Sequence, residues 1–288
     1  MTITNKYGLP EPLVRAITKH THRGAKYSAT QLLKSPRQLA LERRYDDQIV
    51  VDANERIWSL LGSALHNVVE QGEGDHQFAE VYMEEEIAGV TVSGTADLYD
   101  SEDKTITDYK STSVYTIIYN SREEEWEQQL NIYAWLLRRA GFQVNGGRIV
   151  AILRDWQQTK AQFDKDYPQS QVVVVPIRMW MPDEAEWFVG SRVRMHEDAE
   201  KAADSELPYC TDSERWMTST KWAVMKNGRK SAVRVFDDPF SADKVKNEGG
   251  PNHYIEVRKG SPRRCESYCP VAQFCNQYQE ELNGVSRV

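Results

Sequence analysis

The sequence predicts an α/β fold: a mixed sheet flanked by helices, with a cysteine-ligated appendage at its C-terminal end. Three observations predict it. Apolar spacing along the first two thirds of the chain alternates between helical and strand periods, in the order helix, three strands, helix, strand. All four cysteines, Cys210, Cys265, Cys269 and Cys275, lie in the last third. The 288 residues are 40% hydrophobic and 27% charged, which is the balance of a globular chain and excludes collagen-like, low-complexity or largely disordered readings.

Each element has its own signal. Ser28 to Tyr45 reads as two short helical pieces broken at Pro36, with Ser28 as an N-cap. Asp52 to Glu73 reads as a longer helix, with Ile57, Leu60, Leu61, Ala64, Leu65, Val68 and Val69 at helical spacing. Phe78 to Ile87 then changes to strand character. Gly89 turns the chain into a second strand, Val90 to Tyr99, and a polar turn at 100–104 leads to a third, Thr105 to Lys110. Glu123 to Ala140 is an amphipathic helix ended by Gly141. Gly146 to Arg154 and Gln171 to Trp180 are strands, and Asp183 to Ala203 is a helix. The division expected is a core over 1–206, with a basic helical N-terminal segment, and an appendage over 207–288 packed on it. The appendage holds a hairpin around Asn227-Gly228, a turn at Gly249-Gly250 and a strand from Tyr254 to Arg258.

Net charge is −7, yet it is unevenly spread. Residues 1–44 carry nine Lys or Arg and two acids, 221–264 carry eleven and five, and 45–220 hold 15 bases against 33 acids. An acidic centre between basic flanks suits a site that gathers divalent metal while its margins hold a phosphate backbone; scattered surface charge would look the same. No stretch approaches the roughly 20 apolar residues of a membrane helix, and the N-terminus lacks a signal-peptide pattern. The expectation is a cytoplasmic protein of a bacterial or phage-infected cell, without a membrane partner.

The stretch with most chemical content is Gly94 to Lys110. Asp97 ends one strand region, and Asp108 and Lys110 lie on the next, one residue apart and so on one face. The turn at 100–104 folds the second strand back so that Asp97 can meet Asp108. Two carboxylates with an ammonium make a hard-oxygen site for Mg²⁺ or Mn²⁺ beside a water to be activated. Alone, an acid-x-Lys triplet is usually a solvated strand face. His66 lies on the preceding helix, where a lone histidine is more often packed than ligating. Gln129 and Tyr133 are at i and i+4 on one helical face. Three cysteines within eleven residues, C-x3-C-x5-C, favour a metal or cluster centre over free thiols.

Taken together, His66, Asp97, Asp108-x-Lys110 and Gln129-x3-Tyr133 resemble, in order and spacing, the PD-(D/E)XK nuclease superfamily. The resemblance is closer to its RecB-like branch, which includes the CRISPR-adaptation nucleases with an iron–sulfur cluster. It covers about residues 28–155, with the cysteine tail as a second element. It implies a restriction-endonuclease-like core in which Asp97, Asp108, His66 and the Tyr109 carbonyl hold the metal. Lys110 would act on the attacking water, with Gln129 and Tyr133 positioning substrate backbone or Lys110. Glu80 is a further ligand or a solvated strand acid. In the branch one cysteine usually lies far upstream, where this chain has Ser35 before Pro36-Arg37, and the C-terminal triplet is usually C-x2-C-x5-C. Cys210 would therefore be the fourth ligand, and the centre is a 4Fe–4S cluster or tetrahedral Zn²⁺.

The function this implies is a metal-dependent deoxyribonuclease, foremost an exonuclease acting on single strands or duplex ends in recombination, repair or phage replication, with a recombination or replication protein as a possible partner. Two alternatives share the fold. One is a non-catalytic nucleic-acid-binding protein whose basic flanks carry Tyr27, Tyr45, Trp222, Tyr254 and Tyr268 for base stacking. The other is a restriction-type endonuclease. No nucleotide-binding G-x4-GK-[ST] motif accompanies the site.

Overall fold

The computed structural model describes residues 1–18, 24–72 and 74–284. The chain forms two compact units, residues 1–203 and 204–288. Glu73, the expected end of the 52–73 helix, and residues 19–23 of the basic N-terminal segment lie outside the described residues.

The first unit contains β1 (Thr2–Thr4), α1 (Glu11–Thr18), β2 (Tyr27–Ser28), α2 (Ala29–Leu32), α3 (Pro36–Arg44), β3 (Val50–Asp52) and α4 (Ile57–Glu70). It continues through β4 (Gln77–Ile87), β5 (Val90–Asp100), β6 (Thr105–Thr112), α5 (Val114–Ile118), α6 (Glu123–Arg139), β7 (Gly146–Leu153), α7 (Gln158–Phe163), β8 (Val172–Ile177) and α8 (Pro182–Lys201). The main sheet runs β2-β5-β6-β7-β8, with β4 also paired to β5. It is mixed: β2 and β5 are parallel, as are β6 and β7, while β4–β5, β5–β6 and β7–β8 are antiparallel.

Local chemistry accounts for the element boundaries. The Ser28 side chain accepts from the Gln31 amide while the Gln31 side chain accepts from the Ser28 amide, a reciprocal cap that starts α2. Ser35 caps α3, whose first residue is Pro36; the proline opens a helix where its missing N–H costs nothing. Ala88 and Gly89 both have positive φ, 53° and 75°, the conformation of a two-residue hairpin turn whose twist matches the strands it joins.

α6 is the central helix. Ten of its residues are buried, on every side, because it packs against both the sheet and α8. Leu130, Ile132, Leu136 and Leu137 are among the fully buried side chains. The amphipathic helix expected here is thus a core helix, with its acidic residues in the first turns, Arg138 and Arg139 in the last, and the polar Gln129 and Asn131 buried between them.

α4 departs from expectation at its start and on its face. Asp52 belongs to β3, and a 3₁₀ turn over Ala53–Arg56 precedes the α-helix, because the Asp52 carboxylate accepts from the Asn54 amide and from Thr4 and Lys6. None of the α4 residues is buried, and Trp58, Leu61 and Val68 are about half exposed or more. Helical apolar spacing reports the period and not what the stripe covers.

In the second unit β9 (Lys221–Lys226) is flanked antiparallel by β10 (Arg234–Phe236) and β11 (His253–Arg258), with α9 (Pro239–Gly249) against the sheet. Gly228, φ 80°, turns the expected Asn-Gly hairpin. α10 (Arg263–Ser267) and α11 (Asn276–Leu282) follow. The excursion from 217 to 262 closes on itself: Met217 bridges Pro262, and the Thr218 amide donates to the Ser261 carbonyl. Among the described residues no helix is long and apolar enough to cross a membrane.

Candidate active site

The ladder between β5 and β6 runs from Asp100 opposite Thr105 to Leu98 opposite Thr107, and there it stops. The next pair in that register is Asp97 and Asp108. Beyond it β5 is flanked instead by β2, with Tyr27 opposite Val92 and Ser28 opposite Ser93. The sheet forks, and the two aspartates stand at the fork, on one face because opposed residues of an antiparallel pair project together.

The geometry at the fork is tight. Asp97 Oδ2 accepts from the Tyr109 amide at 2.8 Å. Lys110, two residues beyond Asp108 on the same face, donates to Asp108 Oδ1 at 2.9 Å and lies 2.8 Å from Oδ2. The Asp108 side chain is 1% exposed, and its Oδ2 makes no hydrogen bond, so only the Lys110 ammonium balances it. Burial, then the Asp108 charge, push the Asp97 carboxyl up to about 7, against the opposing pull of His66, the Tyr109 amide and Lys110.

α4 delivers His66 to the same place. Its Nε2 lies 3.2 Å from the Tyr109 carbonyl oxygen and 3.4 Å from Asp97 Oδ2, and its Nδ1 lies 3.6 Å from Glu80 Oε1. Among the described residues, His66, Glu80 and Asp97 are the one group of three or more His, Cys, Asp or Glu ligand atoms all within 4.8 Å of one another. A donor set of carboxylate, carbonyl and imidazole is one that Mg²⁺ or Mn²⁺ accepts. The residues present fit such an ion.

α6 supplies the remaining pair. Gln129 Nε2 donates to the Tyr133 hydroxyl at 2.7 Å, and burial, with the charges of Asp108, Asp97 and Glu80, raises the phenol far above its ordinary range, so it stays neutral. The helix reaches this close because Gly94 has no side chain: a Cβ there would sit 2.7 Å from Leu136 Cδ1 and 2.9 Å from Tyr133 Cδ1.

A cavity of about 630 Å³ opens onto His66, Glu80, Asp97, Lys110, Gln129 and Tyr133. Its opposite wall is the 25–31 segment, with Lys26, Ser28, Thr30 and Gln31. Lys26 is held there by Glu197 at 2.5 Å and Glu200 at 2.7 Å. Sequence reasoning identified Ser28 as a cap and gave this wall no part in the site. A two-residue parallel strand has no periodic signal, and only its pairing with β5 brings the segment across from the carboxylates.

The structure therefore brings together His66, Asp97, Asp108, Tyr109, Lys110, Gln129 and Tyr133. The cysteines lie apart in sequence and in the second unit. None forms a disulfide. Burial, then Cys269, Cys210 and Cys275, push the Cys265 thiol up to about 12, and burial chiefly pushes Cys269 up to about 11; this mutual influence places the four sulfurs in one neighbourhood. Gln277 ties Cys210 to α11 through both its amide and its carbonyl, at 2.8 and 3.0 Å.

The sequence profile of the PD-(D/E)XK nuclease superfamily matches residues 13–276. No curated protein matches the chain. Among solved structures, the crystal structure of SSO0001 is similar at 18% identity and a TM-score of 0.41, over 70% of this chain and 91% of that one. That of a phage-related exonuclease from Haemophilus somnus 129PT is similar at 13% identity and a TM-score of 0.32, over 66% and 79%.

Proposed function

The chain belongs to the PD-(D/E)XK nuclease superfamily, and from that premise we propose that it hydrolyses phosphodiester bonds in DNA with Mg²⁺ or Mn²⁺, as an exonuclease acting on single strands or duplex ends. The observation that carries the reading is the convergence of Asp97, Asp108, Lys110 and His66 at the fork of the sheet, with Asp97, Lys110 and His66 lining a cavity. Asp97, Asp108, His66 and the Tyr109 carbonyl are the residues that would hold the ion. When bound, it would lower the pKa of a water and neutralise charge on the scissile phosphate.

The protein's own groups do the rest. The Lys110 ammonium, now on Asp108, is within reach of the cavity and stabilises negative charge as it develops on the phosphate oxygens. Gln129 fixes the Tyr133 hydroxyl, whose proton remains free to be donated toward a phosphate oxygen. Burial of Asp108 and the closeness of Gly94 to Tyr133 hold these groups on rigid elements rather than on loops.

Within residues 207–288 the four cysteines, none of them in a disulfide, are read as one centre, a 4Fe–4S cluster with a structural Zn²⁺ as the alternative. Anaerobically purified protein should be brown with a broad visible band; a colourless sample containing zinc would overturn this assignment.

The test of the nuclease reading is incubation of end-labelled linear DNA with Mg²⁺ or Mn²⁺, comparing wild type with Asp108→Ala and Lys110→Ala. Release of mononucleotides from ends by wild type alone is expected. Equal degradation by all three, or none by wild type under either metal, would refute it.

A further inference from the structure

Glu80 sits in the middle of β4, and the register on either side of it is continuous: Ala79 pairs with Leu98 and Val81 with Ala96. Glu80 is thus directly opposite Asp97, yet this one pair is missing from the ladder. Its φ is 49°, in the left-handed region that a side chain other than glycine seldom enters, and never needs within a regular strand. A strand that interrupts its own pairing at one residue, without inserting an extra one, has turned that residue for a reason local to it.

The residue it meets is His66. The two imidazole nitrogens face different groups: Nε2 faces Asp97 Oδ2 and the Tyr109 carbonyl, and Nδ1 faces Glu80 Oε1 at 3.6 Å. A neutral imidazole has one protonated and one bare nitrogen. If His66 joins Asp97 and the Tyr109 carbonyl around a cation, Nε2 must present its lone pair, and the proton belongs on Nδ1. Glu80 is the acceptor placed for it.

We propose that Glu80 is a positioning residue that acts through His66: its carboxylate accepts the Nδ1 proton and so fixes both the tautomer and the ring orientation in which Nε2 binds a divalent cation. Carboxylate–histidine–metal relays of this kind govern affinity without touching the ion. The inference rests on reading His66 and Asp97 as metal ligands, and goes beyond that reading by giving a role to the acid across the strand.

The experiment is a binding cycle on the full chain, with free Mn²⁺ read by electron paramagnetic resonance and folding checked by circular dichroism. Four proteins are compared: wild type, Glu80→Gln, His66→Ala and the double variant. Glu80→Gln should weaken Mn²⁺ binding about 10- to 100-fold, and the same change in the His66→Ala background should add less than about twofold, since residues acting through one another are not additive. Unchanged affinity in Glu80→Gln would overturn the proposal. So would an equal loss in the His66→Ala background, which would make Glu80 a ligand in its own right. Failure of wild type to bind Mn²⁺ is a different result and would remove the metal reading beneath it.

Discussion

Replacing Asp97 by asparagine separates the cost of its charge from its use. Without metal, burial and the Asp108 charge raise its carboxyl from 3.8 to about 7. Each tenfold change in proton affinity is worth about 1.4 kcal/mol, so an ionised Asp97 burdens the metal-free fold by at most about 4 kcal/mol. Side-chain relaxation and water in the cleft reduce this, and about 1–3 kcal/mol is the gain expected in Asp97→Asn. Asparagine keeps an oxygen to accept from the Tyr109 amide, so the hydrogen bond is not lost with the charge. Because the folded pKa lies above the unfolded one, the folded protein binds more protons between them. Wild type therefore loses stability as pH rises through that window, and the variant does not. Urea unfolding in EDTA should show nearly equal stability near pH 4 and a stabilised variant near pH 8. Saturating Mn²⁺ should reverse the order, since only the wild-type carboxylate repays its burial by holding the cation. A variant less stable than wild type near pH 8 in EDTA, or a gap that ignores pH, would refute the reasoning.

Other outcomes follow from the same geometry. Lys110→Met should abolish DNA cleavage by at least about 10²-fold. It should also destabilise the metal-free protein by about 1–3 kcal/mol, because Asp108 loses the cation that balances it; Mn²⁺ should recover part of that loss in a thermal melt. Gly94→Ala should cost about 1–3 kcal/mol by driving a methyl into Tyr133 and Leu136, measurable as a lower urea midpoint at unchanged slope. Cys265→Ser should strip bound metal from the second unit and expose 204–288 to limited proteolysis while leaving 1–203 intact, checked by metal content and mass spectrometry of the fragments.

Much of the first unit was legible because its signals are local. The hairpin at Gly89, the strand carrying Asp108 and Lys110, the Ser28 cap and the helix carrying Gln129 and Tyr133 each depend on spacing within a dozen residues. The meeting of Asp97 with Asp108 was legible for the same reason, since one short turn sets their register. What escaped depends on distant partners. The 25–31 wall exists only through two residues of parallel pairing, the start of α4 is displaced by the contacts of Asp52 to Thr4 and Lys6, and α9 is too weakly patterned to stand out beside its charged neighbours. Glu80 was visible as a strand acid and read as solvated by default; its backbone angle, which no spacing encodes, sets it apart.

The parting of β5 from β6 has a further consequence. The cleft occupies space that backbone hydrogen bonds decline to fill, so the unit forgoes ladder bonds worth about 1 kcal/mol each to keep an opening between its central strands. Zipping the two strands together as far as Asp97 would make a tighter sheet and a blind one, with its acids facing each other across a closed seam. Vacancy at that point is a structural commitment, borne by the long, uninterrupted pairing of β4 with β5 on one side and of β6 with β7 on the other, except for the single unpaired step at Glu80.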